Sequence, residues 1–352
     1  MEESLKPKVY KYNPKPLFEE RMNKVLELSS SNKKDLENFW QIVHTEPINS
    51  IRCNTIKISP PELRARLEKR GWKISQPYHE HPEIMIIESN LGPGEIGRAE
   101  EHLLGYYYVQ EISSMMPILA LQPSKEDNFL DLCASPGSKT TQAAAMMQNS
   151  GNIMANDNNM GRMIVLASNL EKCGVSNVVI TKRDGVRICK QLKEAGFTFD
   201  KVLCDVPCSG EGTLRSSPHT FVSWNIKTVE NLGRQQKVLA AAALEVLKIN
   251  GEMIYSTCTH SPEENECVVQ FLMDNFDIKI EDIHLPIKTR DGLEKWQAQI
   301  FNKEIKKARR IYPQDNNTEG FFLCKIKKLS EKGFLEQANY ENNEDDIMEE
   351  DI

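Results

Sequence analysis

Two cysteines lie where a thiol could act as a nucleophile. Cys208 stands in segment 205–210 (DVPCSG) and Cys258 in segment 256–259 (STCT). Each segment follows an apolar run, and Asp205 stands three residues before Cys208. A thiolate can add to an electron-poor ring carbon, whose neighbour then becomes nucleophilic while a nearby acid stabilises the developing charge. Either cysteine alone fits a buried structural role, but their matching positions favour catalysis.

A loop of small residues forms a second candidate site, at 131–140 (DLCASPGSKT). It lies between a predicted strand and a predicted helix, so a ligand could closely approach the backbone and the helix N-terminus. The loop has neither the G-x-x-x-x-G-K spacing of a P-loop nor the G-x-G-x-x-G pattern of dinucleotide-binding folds. On its own, a tight turn with Ser138 as the helix N-cap explains the loop equally well.

Three carboxylates follow successive predicted strands and favour a ligand-binding role for this loop over a simple tight turn. They are Asp157 after the second strand, Asp184 after the third and Asp205 after the fourth. An acidic residue after the second strand is where a carboxylate binds the ribose diol of an adenosine group. A single carboxylate at a strand end is commonly a helix cap. Three of them beside a small-residue loop indicate a nucleoside-containing cofactor.

Alternating strands and helices from residue 128 onward must position these groups. Strands are predicted at 129–132, 153–155, 177–181, 201–204, 252–256 and 320–326, and helices at 138–147, 160–172, 186–195, 229–247 and 263–275. This alternation predicts an α/β fold with a doubly wound, mostly parallel Rossmann-like sheet and ligands at the carboxyl ends of its strands. The fourth and fifth strands of such a sheet are neighbours, so both thiols should face one pocket. Helix N-termini at these strand ends are expected to lower the thiol pKa values.

Other segments flank this sheet domain, which is placed at 106–330. Apolar residues at helical spacing predict helices within 1–45, and a β-α-β-β pattern predicts a small α+β module over 46–105. Residues 331–352 form an acidic tail, with eight acidic residues and no Lys or Arg after position 335. Because apolar residues are scarce there, the tail is predicted to be disordered.

The charge distribution bears on the class of partner. A net charge of −7, from 44 Lys and Arg against 51 Asp and Glu, argues by itself against binding nucleic acid. Without the eight acidic residues of the tail, however, the 44 basic residues face only 43 acidic ones. A basic run could contact phosphates, although such runs usually form a solvated surface; it contains Lys303, Lys306, Lys307, Arg309 and Arg310. Nucleic acid therefore remains a possible partner.

Other classes of protein are disfavoured. No stretch approaches the ~20 apolar residues of a membrane span, and the start has no apolar core of a secretory signal. The nine cysteines include no C-x-x-C pair. Cys204 and Cys208 stand four apart without a matching His/Cys pair downstream, so no metal site is expected. Scattered thiols in odd number are typical of a reducing compartment, which predicts a cytoplasmic location.

Several motifs, in the order of the family, resemble those of the Sun-type RNA cytosine-5 methyltransferases. They are RCNT at 52–55, QEISS at 110–114, DLCASPGSKT at 131–140, DVPCSG at 205–210, STCT at 256–259, RIYP at 310–313 and TEGFF at 318–322. The resemblance extends over residues 20–328. The pair of cysteines is its most specific part, because DNA cytosine-5 methyltransferases carry only the cysteine after the proline.

The resemblance implies an S-adenosylmethionine-dependent enzyme that forms 5-methylcytosine in RNA. Cys258 would add to C6 of cytosine, and Cys208 would help to release the methylated product. Asp205 would hold the cytosine edge and donate to a ring nitrogen, and Lys139 would approach the reacting centre. At Ser138 the chain departs from the second glycine that many members have before the lysine. The cofactor pocket would be lined by Cys133, Ala134, Ser135, Pro136, Gly137, Ser138, Lys139, Asp157, Arg162, Asp184 and Asp205.

The resemblance favours tRNA as the substrate, with ribosomal RNA as the alternative. The chain would act as a monomer away from membranes, gripping RNA through its N-terminal module and basic patches. A non-catalytic RNA-binding protein on a methyltransferase scaffold is the rival of another class, and the presence of both cysteines with Asp205 disfavours it. A small-molecule methyltransferase is disfavoured because the N-terminal module would then have no evident function.

Deletion of residues 336–352 is expected to leave methyltransferase activity intact and to tighten RNA binding at low salt. The physical reason is that eight negative charges would no longer repel the RNA phosphates. Titration of labelled tRNA with the full and the shortened chain, at low and at physiological salt, measures the effect. Weaker binding after the deletion would contradict the prediction of a solvated tail.

Overall fold

A computed structural model describes residues 12–30 and 32–331 of the chain. The helices are α1 (Pro16–Ser29), α2 (Lys33–Ile42), α3 (Pro60–Lys69), α4 (Glu95–Arg98), α5 (Glu100–Leu103), α6 (Ile112–Leu121), α7 (Ser138–Met146), α8 (Met160–Cys173), α9 (Gly185–Glu194), α10 (Thr220–Ser223), α11 (Ile226–Glu245), α12 (Glu266–Asn275) and α13 (Pro313–Asn316). Short 3-10 helices lie at Glu211–Thr213 and Lys303–Lys307. The acidic tail after position 335 lies outside the described residues.

The strands form a large and a small sheet and one short hairpin. They are β1 (Asn49–Cys53), β2 (Ile74–Ser75), β3 (Ile84–Ile87), β4 (Tyr107–Val109), β5 (Asn128–Asp131), β6 (Asn152–Asp157), β7 (Val178–Lys182), β8 (Phe199–Asp205), β9 (Leu247–Thr257), β10 (Ile278–Glu281), β11 (Arg290–Asp291), β12 (Lys295–Trp296), β13 (Gln299–Ile300), β14 (Arg309–Ile311) and β15 (Phe321–Lys328). The hairpin pairs β12 with β13.

The larger sheet has the strand order β11-β14-β15-β9-β8-β5-β6-β7, with β10 paired to β15. Its five central strands, β7, β6, β5, β8 and β9, are parallel, which confirms the predicted doubly wound sheet. Strand β15 runs antiparallel to both β9 and β14. The connection from β14 to β15 spans residues 312–320, which is shorter than the crossover of about a dozen residues that a parallel pair requires.

Alternation along the central strands divides the core between the two faces of the sheet. Leu203 and Ile254 pack with apolar residues of α6 and α7. The neighbouring Val202, Cys204 and Met253 pack with apolar residues of α9 and α11. Successive side chains of a strand point to opposite faces, so a strand covered by helices on both sides is apolar throughout. This is why the central strands read as continuous apolar runs.

A small antiparallel sheet with the order β2-β3-β1-β4 precedes the larger one. Leu63 and Leu67 of α3 are fully buried against it, together with Ile51 and Met85. This is the small α+β architecture predicted for the N-terminal module. Its last strand, β4, lies after residue 105, so the sheet extends past the position where the division between the two domains was placed.

The N-terminal helices pack on the domain that contains the large sheet. Phe18 of α1 and Phe39 of α2 are buried in one cluster with Phe221, Trp224 and Tyr312. Most apolar residues of α1 and α2 therefore serve a packing role. None of the described helices is long and apolar enough to cross a membrane.

The basic run around residues 303–310 is largely neutralised within the fold. Arg310 is fully buried, and its Nη2 atom lies 2.6 Å from Oε2 of Glu266. Three further cations of the run are ion-paired: Lys306 with Glu294, Lys307 with Glu304 and Arg309 with Asp291. Cations that already hold carboxylates are poorly placed to bind phosphates, so this run gives little support for an RNA contact.

Candidate active site

The site lies where the winding of the large sheet reverses direction. Strand β5 is flanked by β6 on one side and β8 on the other, and all three are parallel. In open α/β sheets, ligands bind at the carboxyl ends of the strands at such a point. Two cavities are found in this region, and together they are lined by most of the predicted site residues.

The first cavity, of about 340 Å³, is lined by four of the eleven residues predicted to bind a cofactor. Cys133, Asp157, Arg162 and Asp184 all line it. The other lining residues are Leu132, Asn156, Asn158, Gly185, Val186, Pro207, Gln235, Gln236, Val238 and Leu239. Those contributed by α11 had no signal in the sequence, because they lie in the middle of a long helix without a motif.

Asp157 fixes the small-residue loop beside this cavity. Its buried carboxylate accepts hydrogen bonds from the backbone N–H groups of Ser135 (3.3 Å) and Asn159 (3.0 Å). Arg162 reinforces the arrangement, since its Nη2 atom lies 3.3 Å from Asp157 and donates to the carbonyl of Ser135 at 2.8 Å. The carboxylate can accept further bonds, since two oxygens offer about four lone-pair sites.

Gly137 brings this loop into close contact with α8. Its φ of +100° lies in the region that favours glycine, and a Cβ atom there would come within 2.9 Å of Cδ1 of Leu166. Gly137 is also the N-cap of α7, which begins at Ser138. Ser138 is thus the first helical residue, and the first turn of α7 starts directly after the loop.

Asp184 fits both interpretations of a strand-end carboxylate, as a helix cap and as a ligand contact. Its Oδ1 atom accepts hydrogen bonds from the backbone N–H groups of Val186 (3.1 Å) and Arg187 (3.0 Å), so it caps α9. The same residue lines the first cavity. A helix cap at a strand end and a ligand contact are therefore compatible at this position.

The second cavity, of about 440 Å³, contains three of the four predicted catalytic residues. Lys139, Asp205 and Cys258 line it. Its wall is shared between the two domains, with Pro47, Ile48, Asn49, Ser50 and Val109 from the small module and Gln110, Glu111, Ser113, Ser114, Val206, Thr213, Ser216, Glu319, Gly320 and Phe321 from the large one. The cavity is wide enough for a single base of a nucleic acid.

The two predicted catalytic thiols are in contact, because Sγ of Cys208 lies 3.1 Å from Sγ of Cys258. Both are free thiols. The interaction with Cys258, followed by burial, raises the pKa of the Cys208 thiol well above its ordinary value. The expectation that helix N-termini lower both thiol pKa values is therefore wrong for Cys208. Only a short 3-10 helix follows Cys208, and α12 begins eight residues after Cys258.

Lys139 and Asp205 form a polar unit beside Cys258. Nζ of Lys139 lies 2.7 Å from Oδ2 of Asp205 and donates to Oγ of Ser114 at 3.0 Å. Ser256 donates to the other oxygen of Asp205 at 2.7 Å. Burial lowers the pKa of Lys139, but the charge of Asp205 and its hydrogen bond outweigh burial, so the pKa is raised. The unit thus pairs an ammonium group with the side chain of Asp205.

Two carboxyl groups that line the second cavity were given no role by the sequence. Glu319 accepts hydrogen bonds from the backbone N–H groups of Arg215 (3.4 Å) and Ser216 (2.7 Å), and burial raises its pKa to about 7. Glu111 accepts a hydrogen bond from the backbone N–H of Glu319 at 3.0 Å. Both stand in motifs of the resemblance, but a motif match alone does not say what a side chain touches.

Arg52 links the small module to the small-residue loop. Its buried guanidinium donates to the carbonyl of Ser138 at 2.7 Å and to Oγ1 of Thr141 at 2.8 Å, and it bonds to the side chain of Gln110. The buried side chain of Arg52 therefore connects the small module to the loop beside the first cavity.

Solved structures define the class of this fold. A methyltransferase homolog protein from Pyrococcus horikoshii is 31% identical and has a TM-score of 0.75, covering 90% of this chain and 100% of that chain. NSun6 from Pyrococcus horikoshii, in a crystal structure with SFG, has a TM-score of 0.76 at 23% identity, covering 90% of this chain and 98% of that chain, and shares the fold. The fold is that of a methyltransferase.

The family follows from the sequence comparison. Residues 118–327 match the family described as 16S rRNA methyltransferase RsmB/F, and the chain belongs to it. A tRNA (cytosine(49)-C(5))-methyltransferase from Pyrococcus abyssi is 38% identical over 308 residues, 88% of this chain and 97% of that relative. The ribosomal RNA small subunit methyltransferase F of Vibrio campbellii is 40% identical over 298 residues, 84% of this chain but only 60% of that relative. The resemblance to RNA cytosine-5 methyltransferases is confirmed.

Asp131 at the end of β5 provides a test of the electrostatics near both cavities. It is fully buried, Thr140 donates to its Oδ2 atom at 2.7 Å, and burial raises its pKa from 3.8 to about 7. The folded state therefore holds a proton that the unfolded state releases near pH 4. This proton stabilises the folded state fully below pH 4, and the stabilisation is lost as the pH rises through 7.

In the native protein, loss of the Asp131 proton should make the free energy of unfolding fall between pH 5 and pH 8. In Asp131→Asn we expect this fall to be smaller by at least about 1 kcal/mol, since one pKa unit corresponds to about 1.4 kcal/mol. Urea denaturation at the two pH values measures the fall. The matched control is Asp274→Asn, which changes an exposed carboxylate on α12. Equal effects of the two variants on the fall would contradict the prediction.

Proposed function

We propose that the protein is an S-adenosylmethionine-dependent RNA methyltransferase that forms 5-methylcytosine through a covalent adduct with Cys258. The observation that carries this proposal is the contact of the Cys208 and Cys258 thiols, 3.1 Å apart, beside a base-sized cavity. A cavity lined by strand-end carboxylates lies next to it, at the same edge of the sheet. Covalent methylation of a cytosine needs both a thiol and a methyl donor within reach of one ring.

The first cavity fits the cofactor. The buried carboxylate of Asp157 suits a ribose diol, and the apolar side chains of Leu132, Val186 and Leu239 suit an adenine ring. The residues that would hold the cofactor are those of the loop Cys133–Ser138, with Asp157, Arg162 and Asp184. When bound, S-adenosylmethionine supplies an electrophilic methyl group. Lys139 and Asp205 were also predicted to contact it, and their position between the two cavities supports contact with the methyl-donating end.

Cys258 starts the reaction in this mechanism. Its thiolate adds to C6 of the cytosine, which breaks the C5–C6 double bond and makes C5 nucleophilic. C5 could then bond to the methyl group, whose bond to the sulfonium sulfur of the donor would break with its electron pair left on that sulfur. The target base must leave its stack and enter the second cavity for the sulfur to reach C6. The shared wall of this cavity suggests that the RNA strand lies between the small module and the larger domain.

Lys139 supplies the proton donor for the developing charge in our proposal. Attack at C6 places negative charge on the ring, and a buried ammonium group stabilises it strongly. The sequence-based expectation gave this role to Asp205, but its carboxyl group already holds Lys139 at 2.7 Å and accepts a hydrogen bond from Ser256, so its contacts are those of an acceptor. We therefore assign Asp205 to accept from the exocyclic amine of cytosine, which distinguishes cytosine from uracil.

Cys208 acts in product release. Its raised pKa keeps the thiol protonated while Cys258 adds to the base. Two thiolates 3.1 Å apart would repel one another, so the pair favours one anion and one thiol. Once the sulfur of Cys258 is bonded to carbon, Cys208 is free to take part in removing the proton from C5.

The favoured substrate is tRNA. The similarity to the tRNA (cytosine(49)-C(5))-methyltransferase extends over 97% of that relative. Ribosomal RNA is the second candidate, and the 40% identity to the ribosomal RNA small subunit methyltransferase F favours it. We further propose that the protein acts as a monomer in the cytoplasm, where a reducing environment keeps both thiols free.

Replacing each thiol separately tests the mechanism. With Cys258→Ala no methylated RNA is expected, because the nucleophile is lost. With Cys208→Ala we expect a covalent protein–RNA adduct to accumulate, because release is impaired. Incubation with RNA and the cofactor, followed by denaturing gel electrophoresis, detects the adduct as a band of raised mass. The matched control is Cys204→Ala, a buried thiol of β8 outside the pair; an active Cys258→Ala enzyme would refute the assignment.

The choice of substrate has its own test. Total RNA incubated with the protein and S-adenosylmethionine is analysed by bisulfite sequencing, with the Cys258→Ala variant as the control. We expect new 5-methylcytosine at one position in the structured core of tRNA. Modification confined to small-subunit ribosomal RNA would favour the second candidate, and the absence of both would contradict the proposed function.

A further inference from the structure

Glu264 is fully buried, and its side chain forms hydrogen bonds to the segment that contains Cys208 and to α11. Its Oε2 atom accepts from the backbone N–H of Ser209 at 3.0 Å and from Nε2 of Gln236 at 2.8 Å. The same Gln236 amide donates to the carbonyl of Pro207 at 2.8 Å. Both neighbours of Cys208 in the chain are thus held by one carboxyl–amide pair, so the position of the thiol depends on Glu264.

The other oxygen of Glu264 is unpaired. Its Oε1 atom is buried and has no hydrogen-bond partner within residues 12–30 and 32–331. A buried carboxylate oxygen without a donor is unfavourable when charged, and burial raises the pKa of Glu264 to about 7. The carboxyl group can therefore gain and lose a proton near neutral pH.

Within residues 12–30 and 32–331, Glu264 faces three titratable groups on the elements packed against it: a thiol, a phenol and a carboxyl group. Cys208 is close enough for the charge of Glu264 to raise the pKa of its thiol. Tyr255 of β9 donates its hydroxyl hydrogen to the carbonyl of Glu264 at 2.6 Å, and burial keeps its pKa well above the ordinary value. Glu211 raises the pKa of Glu264 further by its negative charge. Cys208 is the one thiol among these groups, and the groups held by the Glu264–Gln236 pair are its chain neighbours Pro207 and Ser209.

We propose that Glu264 positions Cys208 and takes up a proton from it when the methylated cytosine is released. This inference rests on the proposed function and adds to it a residue that does not touch the RNA. The role requires an acceptor that is part of the segment holding Cys208, and Glu264 meets this requirement through Ser209 and Gln236.

The release step balances as a relay of one proton. Before the step, C5 of the adduct carries a methyl group and a hydrogen atom, and C6 is bonded to the sulfur of Cys258. The sulfur of Cys208 takes the hydrogen from C5 as a proton while its own thiol proton passes to the carboxylate of Glu264. The electron pair of the C5–H bond forms the C5–C6 double bond, and the C6–S bond breaks with its pair left on Cys258. Cys258 is again a thiolate, Cys208 is again a thiol, and Glu264 carries the proton until solvent removes it.

The relay explains why a thiol with a raised pKa can serve in release. Free thiolate at Cys208 would be rare, but in the relay it never accumulates because the thiol gives and receives a proton together. A proton acceptor works best when its pKa lies near the working pH. Glu264, at about 7, meets that condition.

The test is the substitution Glu264→Gln, which keeps an oxygen acceptor for Ser209 and Gln236 but cannot take up a proton. A single turnover with RNA and S-adenosylmethionine, quenched by denaturant, follows formation and decay of the covalent adduct from pH 6 to 8.5. For the native protein we expect decay to accelerate as the pH rises through about 7. For Glu264→Gln we expect formation within about threefold of native, and decay at least about tenfold slower, without the acceleration near pH 7.

Two further variants separate the relay from a structural effect. In a Cys208→Ala background, Glu264→Gln should change adduct decay by less than about twofold, because Glu264 acts through Cys208. The matched control is Glu211→Gln, which changes a buried neighbour bonded to Trp224 and Ser261. Because this change removes a negative charge that raises the pKa of Glu264, decay should still accelerate with pH, with its midpoint moved to lower pH. If Glu264→Gln does not fold, Glu264→Asp, which retains a carboxyl group, should keep the acceleration with pH at a reduced rate.

Native decay kinetics in Glu264→Gln would overturn the inference. So would a folded Glu264→Gln protein that forms no adduct, or a Glu264→Asp protein that lacks the acceleration. A failure of the proposed function is distinguishable from these outcomes, because then the native protein itself would form no adduct, or the Cys258→Ala variant would still methylate RNA.

Discussion

The parallel pairing of β8 with β9 is the constraint on which the site depends. In this register Asp205 lies opposite Ser256, so the segments that follow the two strands leave the sheet side by side. Fifty residues separate Cys208 from Cys258, yet their sulfur atoms are 3.1 Å apart. A shift of one residue would turn the side chains of one strand to the opposite face, and the thiol pair, the Asp205–Ser256 hydrogen bond and the position of Lys139 would be lost together.

Burial gives the polar groups of this site their different roles. Lys139 is buried but held by Asp205, so its ammonium form is favoured and can stabilise charge on a ring. Cys208 lies half-buried against a second thiol, so its protonated form is favoured. Glu264 is buried with one oxygen unpaired, so its pKa moves to about 7. The same loss of water acts on all three, and the nearest neighbour decides the direction.

The two domains are joined where their ligands would meet. The second cavity has walls from both, and Arg52 reaches from β1 of the small module to the first turn of α7, beside the loop that flanks the first cavity. Because the guanidinium is buried and donates to three groups, moving the module would leave unsatisfied donors. The small module is therefore a structural part of the site as well as a surface next to it.

The sequence by itself determined the class of fold and the family, and it named the candidate reactive groups. Alternating apolar runs and small-residue loops are local patterns, and the order of motifs needs no knowledge of contacts. The helix predicted at 263–275 shows the limit of such patterns, because α12 begins only at Glu266 and the residues before it form a loop. Glu264 stands in that loop, bonded to Ser209 and Gln236 from distant parts of the chain.

Only the tertiary structure decided which groups share a pocket and in which protonation state. The sequence predicted lowered pKa values for the thiols, whereas contact with Cys258 raises the pKa of Cys208. It also gave no sign that Asp205 forms an ion pair with Lys139. The basic run at 303–310 likewise lost much of its apparent surface charge to ion pairs, one with Glu304 inside the run and three with carboxylates from other segments. Protonation depends on burial and on neighbours a few ångströms away, and those neighbours are brought together by folding over long separations in sequence.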